Sequence, residues 1–341
     1  MYRQVWVAEE DQPLQRMLWR NSPSEPLRTY ELTTITYGTT TAPYLATRCL
    51  QQLANDEAVY FPLAAPVIKK GFYVDDLLFG FDSLEEATAA SNETSQMLAS
   101  AGFVLRKWSS NHSEILAQFP DDYREKSAIL ELDRSAPVKA LGLLWKPESD
   151  EFLFKIPEWP ERPTSTKQII LSHVCSLFDP LGLIGPVVVL AKMLIQTLWH
   201  RNIGWDDLIP HDLHDKWTEI ARQLPLLKDL TIPRFLLTNN VASLQLHGFA
   251  DASQRAYGAC IYFSSVSSSG TITSRLMAAK SRIAPLEKRR PTLARLELCA
   301  ALLLANLQRK VVRFIVRSTY GLILRSHSTG FLVSLRHGTA L

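Results

Sequence analysis

The chain has 341 residues, 46% apolar and 21% charged, which predicts a folded protein of two or three domains and excludes a disordered chain. Four widely spaced cysteines (Cys49, Cys175, Cys260, Cys299) exclude a disulfide scaffold and a zinc knuckle; they point to a reducing, intracellular compartment and read as core filling. The net charge of +3 hides an asymmetry: residues 281–341 hold eleven Lys or Arg against Glu287 and Glu297, so that segment is +9 and the first 280 residues are −6. A basic end suits a polyanionic partner, and a solvated charged surface accounts for it equally well.

In chain order, the β-branched run over residues 32–37 predicts a strand. Pro43 opens a helix to about residue 53. Residues 69–80 read as a hairpin, with two aspartates between apolar runs. Ser83-Leu84-Glu85-Glu86 is a capping box that starts a helix ending at Gly102. Short strands follow over 103–105 and 138–145, the latter with a partner over 152–156. After a Pro-containing linker come a helix over 166–177, the turn Asp179-Pro180-Leu181-Gly182 and a long helix through Trp199. Residues 181–199 are the best membrane-span candidate, but Pro186, Lys192 and Gln196 interrupt them, so a buried helix is the reading and no membrane partner is expected. No apolar signal core follows Met1. A helix over 212–224 leads to strands near Leu244, over 257–263 and over 277–281. A strong helix pattern runs from 293 to about 316 and weakens beyond Arg317. The fold class is therefore α+β, with a unit change near residue 240: an α+β unit, a helical middle and a βββα unit.

The sharpest chemical signal is Tyr73-Val74-Asp75-Asp76. Each buried carboxylate costs several kcal/mol unless it is paired or binds a cation. A turn here would aim Asp75 into a cleft, where a hard cation such as Mg²⁺ suits its oxygens. A surface turn built on two acids explains the bare pair as well. Downstream, Asp251 ends an apolar strand and Glu297 sits in an otherwise apolar helix, where burial would call for a cation; a cap or an ion pair explains either one alone. His211 and His214 have a His-x-x-His spacing, with no further ligands nearby to complete a zinc set. Trp108, Trp145, Trp199 and Trp205 read as core or interface anchors before base-stacking platforms. No Gly-rich phosphate loop is present.

Tyr73-Val74-Asp75-Asp76 resembles the metal-binding hairpin of reverse transcriptases, and its surroundings resemble the polyproteins of BEL/Pao long-terminal-repeat retrotransposons. Leu32-Thr33-Thr34-Ile35-Thr36-Tyr37-Gly38 with Ala42-Pro43-Tyr44 resembles the segment under template and incoming nucleotide. Gly102-Phe103-Val104-Leu105-Arg106-Lys107-Trp108 resembles the next palm segment, which implies that Lys107 lies near the triphosphate. Leu141-Gly142-Leu143-Leu144-Trp145 resembles the primer-gripping hairpin, and Asp179 to Pro186 a BEL/Pao thumb signature. Gly248-Phe249-Ala250-Asp251-Ala252-Ser253 and Leu293-Ala294-Arg295-Leu296-Glu297-Leu298 resemble a ribonuclease H strand and helix.

The resemblance implies a partial reverse-transcriptase palm over residues 1–160, a mainly helical thumb and connection over 161–240, and a partial ribonuclease H-like α/β domain over 241–341. It implies metal ligands Asp75, Asp76, Asp251 and Glu297, and substrate contacts from Tyr2, Tyr37, Gly38 and Lys107. Lys288, Arg289, Arg290, Arg309 and Lys310 would grip nucleic acid through its phosphates. The implied partners are an RNA template, a DNA primer and an RNA–DNA hybrid, with Mg²⁺ in two-metal sites.

Two departures qualify this. Met1-Tyr2 matches the end of the first palm motif, whose Asp would lie four residues earlier. His327 stands where a third ribonuclease H acid is expected, a poor substitute for a carboxylate. The expectation is a chain that does not polymerise DNA alone, with three readings open: an enzyme segment completed by another polyprotein chain, a catalytically dead nucleic-acid binder, or a genomic relic.

Overall fold

The structure is a computed structural model, described over residues 1–125, 138–140, 143–156, 165–238, 240–286, 291–317 and 329–334. The chain forms two compact units, Met1–Glu131 with Ser328–Leu341, and Leu132–His327. The boundary expected near residue 240 therefore does not separate compact units; residues on both sides of it belong to the second.

In the first unit, the exposed hairpin β1 (Arg16–Trp19) and β2 (Arg28–Glu31) precedes α1 (Ala42–Asp56), with Pro43 in its first turn, and α2 (Ala64–Gly71). Next come β3 (Phe72–Tyr73), β4 (Asp76–Phe81), α3 (Leu84–Ser100), β5 (Arg106–Ser110) and α4 (Ser113–Ala117). Residues 69–71, expected in the hairpin, are the last turn of α2, and residues 103–105 precede β5 rather than form a strand.

The N-cap half of the capping box forms: the Ser83 hydroxyl accepts from the Glu86 N–H at 3.1 Å. At the other end of α3, Gly102 has φ +78, the Phe103 N–H donates to Leu98 and the Gly102 N–H to Ala99. That is a Schellman closure, which requires a left-handed residue at this point. Ala87, Ala90, Ser91, Thr94, Met97 and Leu98 make the buried face of α3 at helical spacing.

The expected strand over 32–37 does not form. Only Thr34 bridges, to Trp6. The Gln15 side chain takes the backbone groups a neighbouring strand would have taken, accepting from the Thr36 N–H at 3.0 Å and donating to the Leu32 and Thr34 carbonyls. β-Branched propensity favours extended backbone, and the local side-chain partner decides whether a ladder follows.

The second unit begins with β6 (Val138–Ala140), β7 (Leu143–Lys146) and β8 (Glu151–Leu153), so residues 138–145 are two strands rather than one. It continues through α5 (Lys167–Ser176), α6 (Gly185–His200), α7 (His211–Gln223) and β9 (Ile232–Pro233). β6 to β9 form one antiparallel sheet in chain order. A nearly buried Arg234 locks it, pairing both Asp150 oxygens, while the Trp145 indole donates to Asp150 at 2.9 Å.

Trp199 and Trp205 are half-exposed and flank the buried Lys167, whose ammonium lies 4.1 and 4.9 Å from their ring centroids. One face of each is thus committed to a cation–π contact within the fold. Trp108 is buried and stacked on Phe119 at 3.8 Å.

Then follow β10 (Val241–Ala252), β11 (Ala256–Ser267), β12 (Ile272–Ile283) and α8 (Leu293–Arg317). The three strands form an antiparallel meander, and α8 buries Leu296, Ala300, Leu303 and Val311. The last strand, β13 (Thr329–Ser334), returns to the first unit and lies between β4 and β5, antiparallel to both. Among the described residues, no helix is long and apolar enough to cross a membrane.

The Asp179-Pro180-Leu181-Gly182 turn docks on the edge of β12. Asp179 accepts from the Leu183 and Ile184 N–H groups at 2.8 and 2.9 Å, ordering the entry to α6. The Ala279 N–H donates to the Leu181 carbonyl at 2.8 Å. Gly182 has φ +77, and a Cβ there would stand 1.9 Å from the Ala279 carbonyl oxygen. Gly270 has φ +83 with open space around it, so the same substitution separates backbone strain from close approach. Gly270→Ala should cost about 1–2 kcal/mol, and Gly182→Ala at least about 2 kcal/mol more. Urea unfolding of the two variants checks this; equal midpoints would mean that the approach to β12 is not constraining.

Candidate nucleic-acid and metal site

β3 and β4 pair only through Phe72 with Leu77 and Tyr73 with Asp76, which leaves Val74 and Asp75 as the two turn residues. Val74 has φ +57, a region that β-branched residues rarely occupy. The turn conformation normally supplied by glycine is held here by a valine packed against the first unit's core. Strain of this kind collects where surrounding structure over-determines the backbone. Asp75 and Asp76 are both half-buried.

The N-terminal segment lies near this turn and links it to the segment around Tyr37. Met1 is buried, and its amino group is held below its ordinary range by burial, an effect the nearby Asp75 carboxylate partly offsets. Tyr2 packs edge-on against Tyr37, with centroids 5.3 Å apart. The Arg3 guanidinium sits 5.8 Å from the exposed Tyr37 ring, beside Gly38 at φ +82. Arg3 and the exposed Tyr73 were not singled out from sequence; their flanking of Tyr2 and Asp75 was the available signal.

Lys107 lies on β5, two strand spacings (~10 Å) from Asp76 across β13. It has φ +63, and the pairing of β5 with β13 slips there: Ser109 faces Leu332 and Arg106 faces Ser334. Lys107 is thus part of a β-bulge, which re-aims a side chain out of the pleat. Its ammonium pairs with Glu125 at 3.2 Å and remains partly exposed.

The other candidates separate. Asp251, on the edge strand β10, is exposed and accepts only a local bond from the Ala252 N–H at 2.8 Å. Glu297 is exposed on the second turn of α8. The expectation that burial would make these two acids costly is therefore corrected: solvent reaches both, and neither needs a cation to be tolerated. Arg309 and Lys310 are exposed on α8. Lys288, Arg289, Arg290 and His327 lie outside the described residues.

Among the described residues, no group of three or more His, Cys, Asp or Glu side chains is placed to hold a metal ion. Asp212, beside His211, is bidentate to Arg201 at 2.9 and 2.7 Å, a hydrogen bond that holds its carboxyl below the usual range. Cys49 and Cys175 are exposed, which corrects their reading as core residues. Burial pushes the Cys49 and Cys260 thiols up, away from nucleophile activation.

As a donor set, Asp75 and Asp76 suit one hard cation that completes its shell with water or substrate oxygens. Two carboxylates do not supply the bridging and flanking ligands of a two-ion site.

The bulge gives Lys107 a specific test. Lys107→Gly removes the left-handed strain and a weak surface pair, so stability should stay within about 1 kcal/mol of the parent in urea unfolding. Affinity for an RNA–DNA hybrid should fall, with the salt dependence of binding shallower by about one counterion. An unchanged salt slope would remove Lys107 from the phosphate-contacting set.

A reverse transcriptase (RNA-dependent DNA polymerase) family model matches residues 1–142, and a Pao retrotransposon-like RNaseH-like domain model matches residues 166–323. A search of the curated proteins finds no match. With the two domains in this order on one chain, and with the acidic hairpin in the first and the βββα unit in the second, the chain belongs to the reverse transcriptase and ribonuclease H region of BEL/Pao retrotransposons.

Proposed function

We propose that these 341 residues bind an RNA–DNA hybrid through its phosphates, hold a single Mg²⁺ at Asp75 and Asp76, and do not extend a primer by themselves. The observation that carries this reading is the chain of proximities from the Val74–Asp75 turn to Met1 and, through its neighbour Tyr2, to Tyr37 in the first unit. That region offers a half-buried acidic pair and the exposed Tyr37 and Tyr73, which can stack on bases or sugars without reading sequence. Arg3 and Lys107 are cations it would offer for phosphate contact.

Bound at the hairpin, Mg²⁺ would neutralise charge on a phosphate oxygen. The chain's own part is to hold that ion with two carboxylates and to orient the nucleic acid. Asp251 and Glu297 would add a second acidic position on the second unit, open to solvent. Completion of either site by another polyprotein chain supplying carboxylates is part of the same proposal, and an intracellular setting goes with it.

The test combines hybrid binding by fluorescence anisotropy with Mg²⁺-dependent primer extension on an RNA template. Binding should weaken steeply between about 50 and 200 mM salt. The Asp75→Asn, Asp76→Asn double variant should bind at least as tightly without Mg²⁺ and lose the Mg²⁺-dependent gain. Neither protein should extend the primer. Extension by the parent and not by the variant would overturn the incompleteness, and salt-insensitive binding would overturn the phosphate grip.

A further inference from the structure

A cleft of 980 Å³ lies within the second unit, walled by α6, the Asp179–Gly182 turn, β12 and α8. Its floor is apolar. The pairing of β12 with β11 skips at Met277, since Ala278 faces Ile261 and Leu276 faces Tyr262. This bulge bends β12 where Met277 lines the cleft.

The rim is cationic: Lys192 on α6, Lys280 and Arg282 on β12, and Lys310 on α8. All four are exposed, and none makes an ion pair among the described residues. The acid among the lining residues, Asp179, has both oxygens committed to backbone N–H groups. Beside the mouth, α8 exposes a second apolar stripe: Leu298 is 72% and Leu302 64% accessible, one turn apart, and Leu302 lines the cleft.

We propose that this cleft docks an acidic amphipathic helix of a partner protein. Its apolar residues seat on the floor and against Leu302, and its Glu or Asp side chains meet the four rim cations. Charge complementarity sets the sign of the partner and the approach rate. The apolar floor sets its class: a phosphate backbone offers nothing to cover the exposed Leu302, whereas a helix with leucines at i, i+4 and i+7 does. Exposed cations paired one at a time contribute little, so the affinity rests on the apolar contacts.

The probe is a labelled synthetic helix of two Leu-Glu-Glu-Leu-Leu-Glu-Glu heptads, titrated with the full chain by anisotropy. A matched helix with Lys for Glu and a labelled single-stranded RNA are run beside it. The variants are Leu302→Asp, at an already exposed position, and the pair Lys280→Glu, Lys310→Glu, each checked for parental circular dichroism. The acidic helix should bind, the lysine helix should not, and both variants should weaken binding at least tenfold. Equal binding of the two helices, or loss with the charge pair but none with Leu302→Asp, would overturn the proposal. RNA binding that is sensitive to the charge pair, indifferent to Leu302→Asp, and stronger than that of the acidic helix would assign the cleft to nucleic acid instead.

Discussion

The hydrogen bond from the Ala279 N–H to the Leu181 carbonyl shows the constraint that shapes much of this chain: strand edges and helix ends must find partners for their main-chain groups. On β12 the partner is a turn, which fits only because Gly182 has no Cβ. At the start of α6 it is the Asp179 carboxylate. Over residues 32–36 it is the Gln15 side chain on one edge and the backbone of Val5 and Val7 on the other. Between β4 and β5 it is β13, more than two hundred residues away in sequence. The same need, met by a turn, a carboxylate, an amide and a distant strand, brings each segment to its neighbour.

That constraint also places the acids. Asp76 begins β4 and is fixed by its pairing with Tyr73, whereas Asp75 sits in a turn that Val74 enters at φ +57. An ordinary tight turn would use glycine at that point and would hold the carboxylate less rigidly. Packing of Val74 against the core holds the turn that carries Asp75 and leads into Asp76. Asp251 and Glu297 have no comparable restraint, since both stand in solvent. A half-buried carboxylate gains more from a cation than one in open solvent, which makes the hairpin the stronger of the two acidic positions.

Much of the fold was legible because its signals are local. The capping box at Ser83, the left-handed Gly102, Pro43 at the head of α1 and the long apolar period of α8 each name an element from a few adjacent residues, and each forms. The acidic hairpin was legible from four residues. What sequence could not supply was who pairs with whom. Residues 32–37 carry strand propensity but meet Gln15 instead of a ladder. β13 carries no local signal of partners more than two hundred residues away. The exposure of Asp251 was missed for the same reason: apolar flanks predict burial, yet β10 is the edge of its sheet. The proximity of Met1 to Asp75 and the contact of Tyr2 with Tyr37 came only from the fold.

The basic C-terminal segment is where composition says least and placement says most. A charge of +9 over residues 281–341 is compatible with a phosphate grip, a protein dock or a solvated surface. Arg309 and Lys310 are adjacent in sequence and differ by about 100° around α8. Lys310 lines an apolar cleft, while Arg309 leans on Asn306 at the helix surface. Beside an apolar floor, a cation selects the sign of an apolar partner; on an open helix face it does little more than attract phosphate and release counterions. Lys167 is the limiting case, a lysine with its ammonium held between Trp199 and Trp205. Its charge serves the fold, and it occupies one face of each of those two rings.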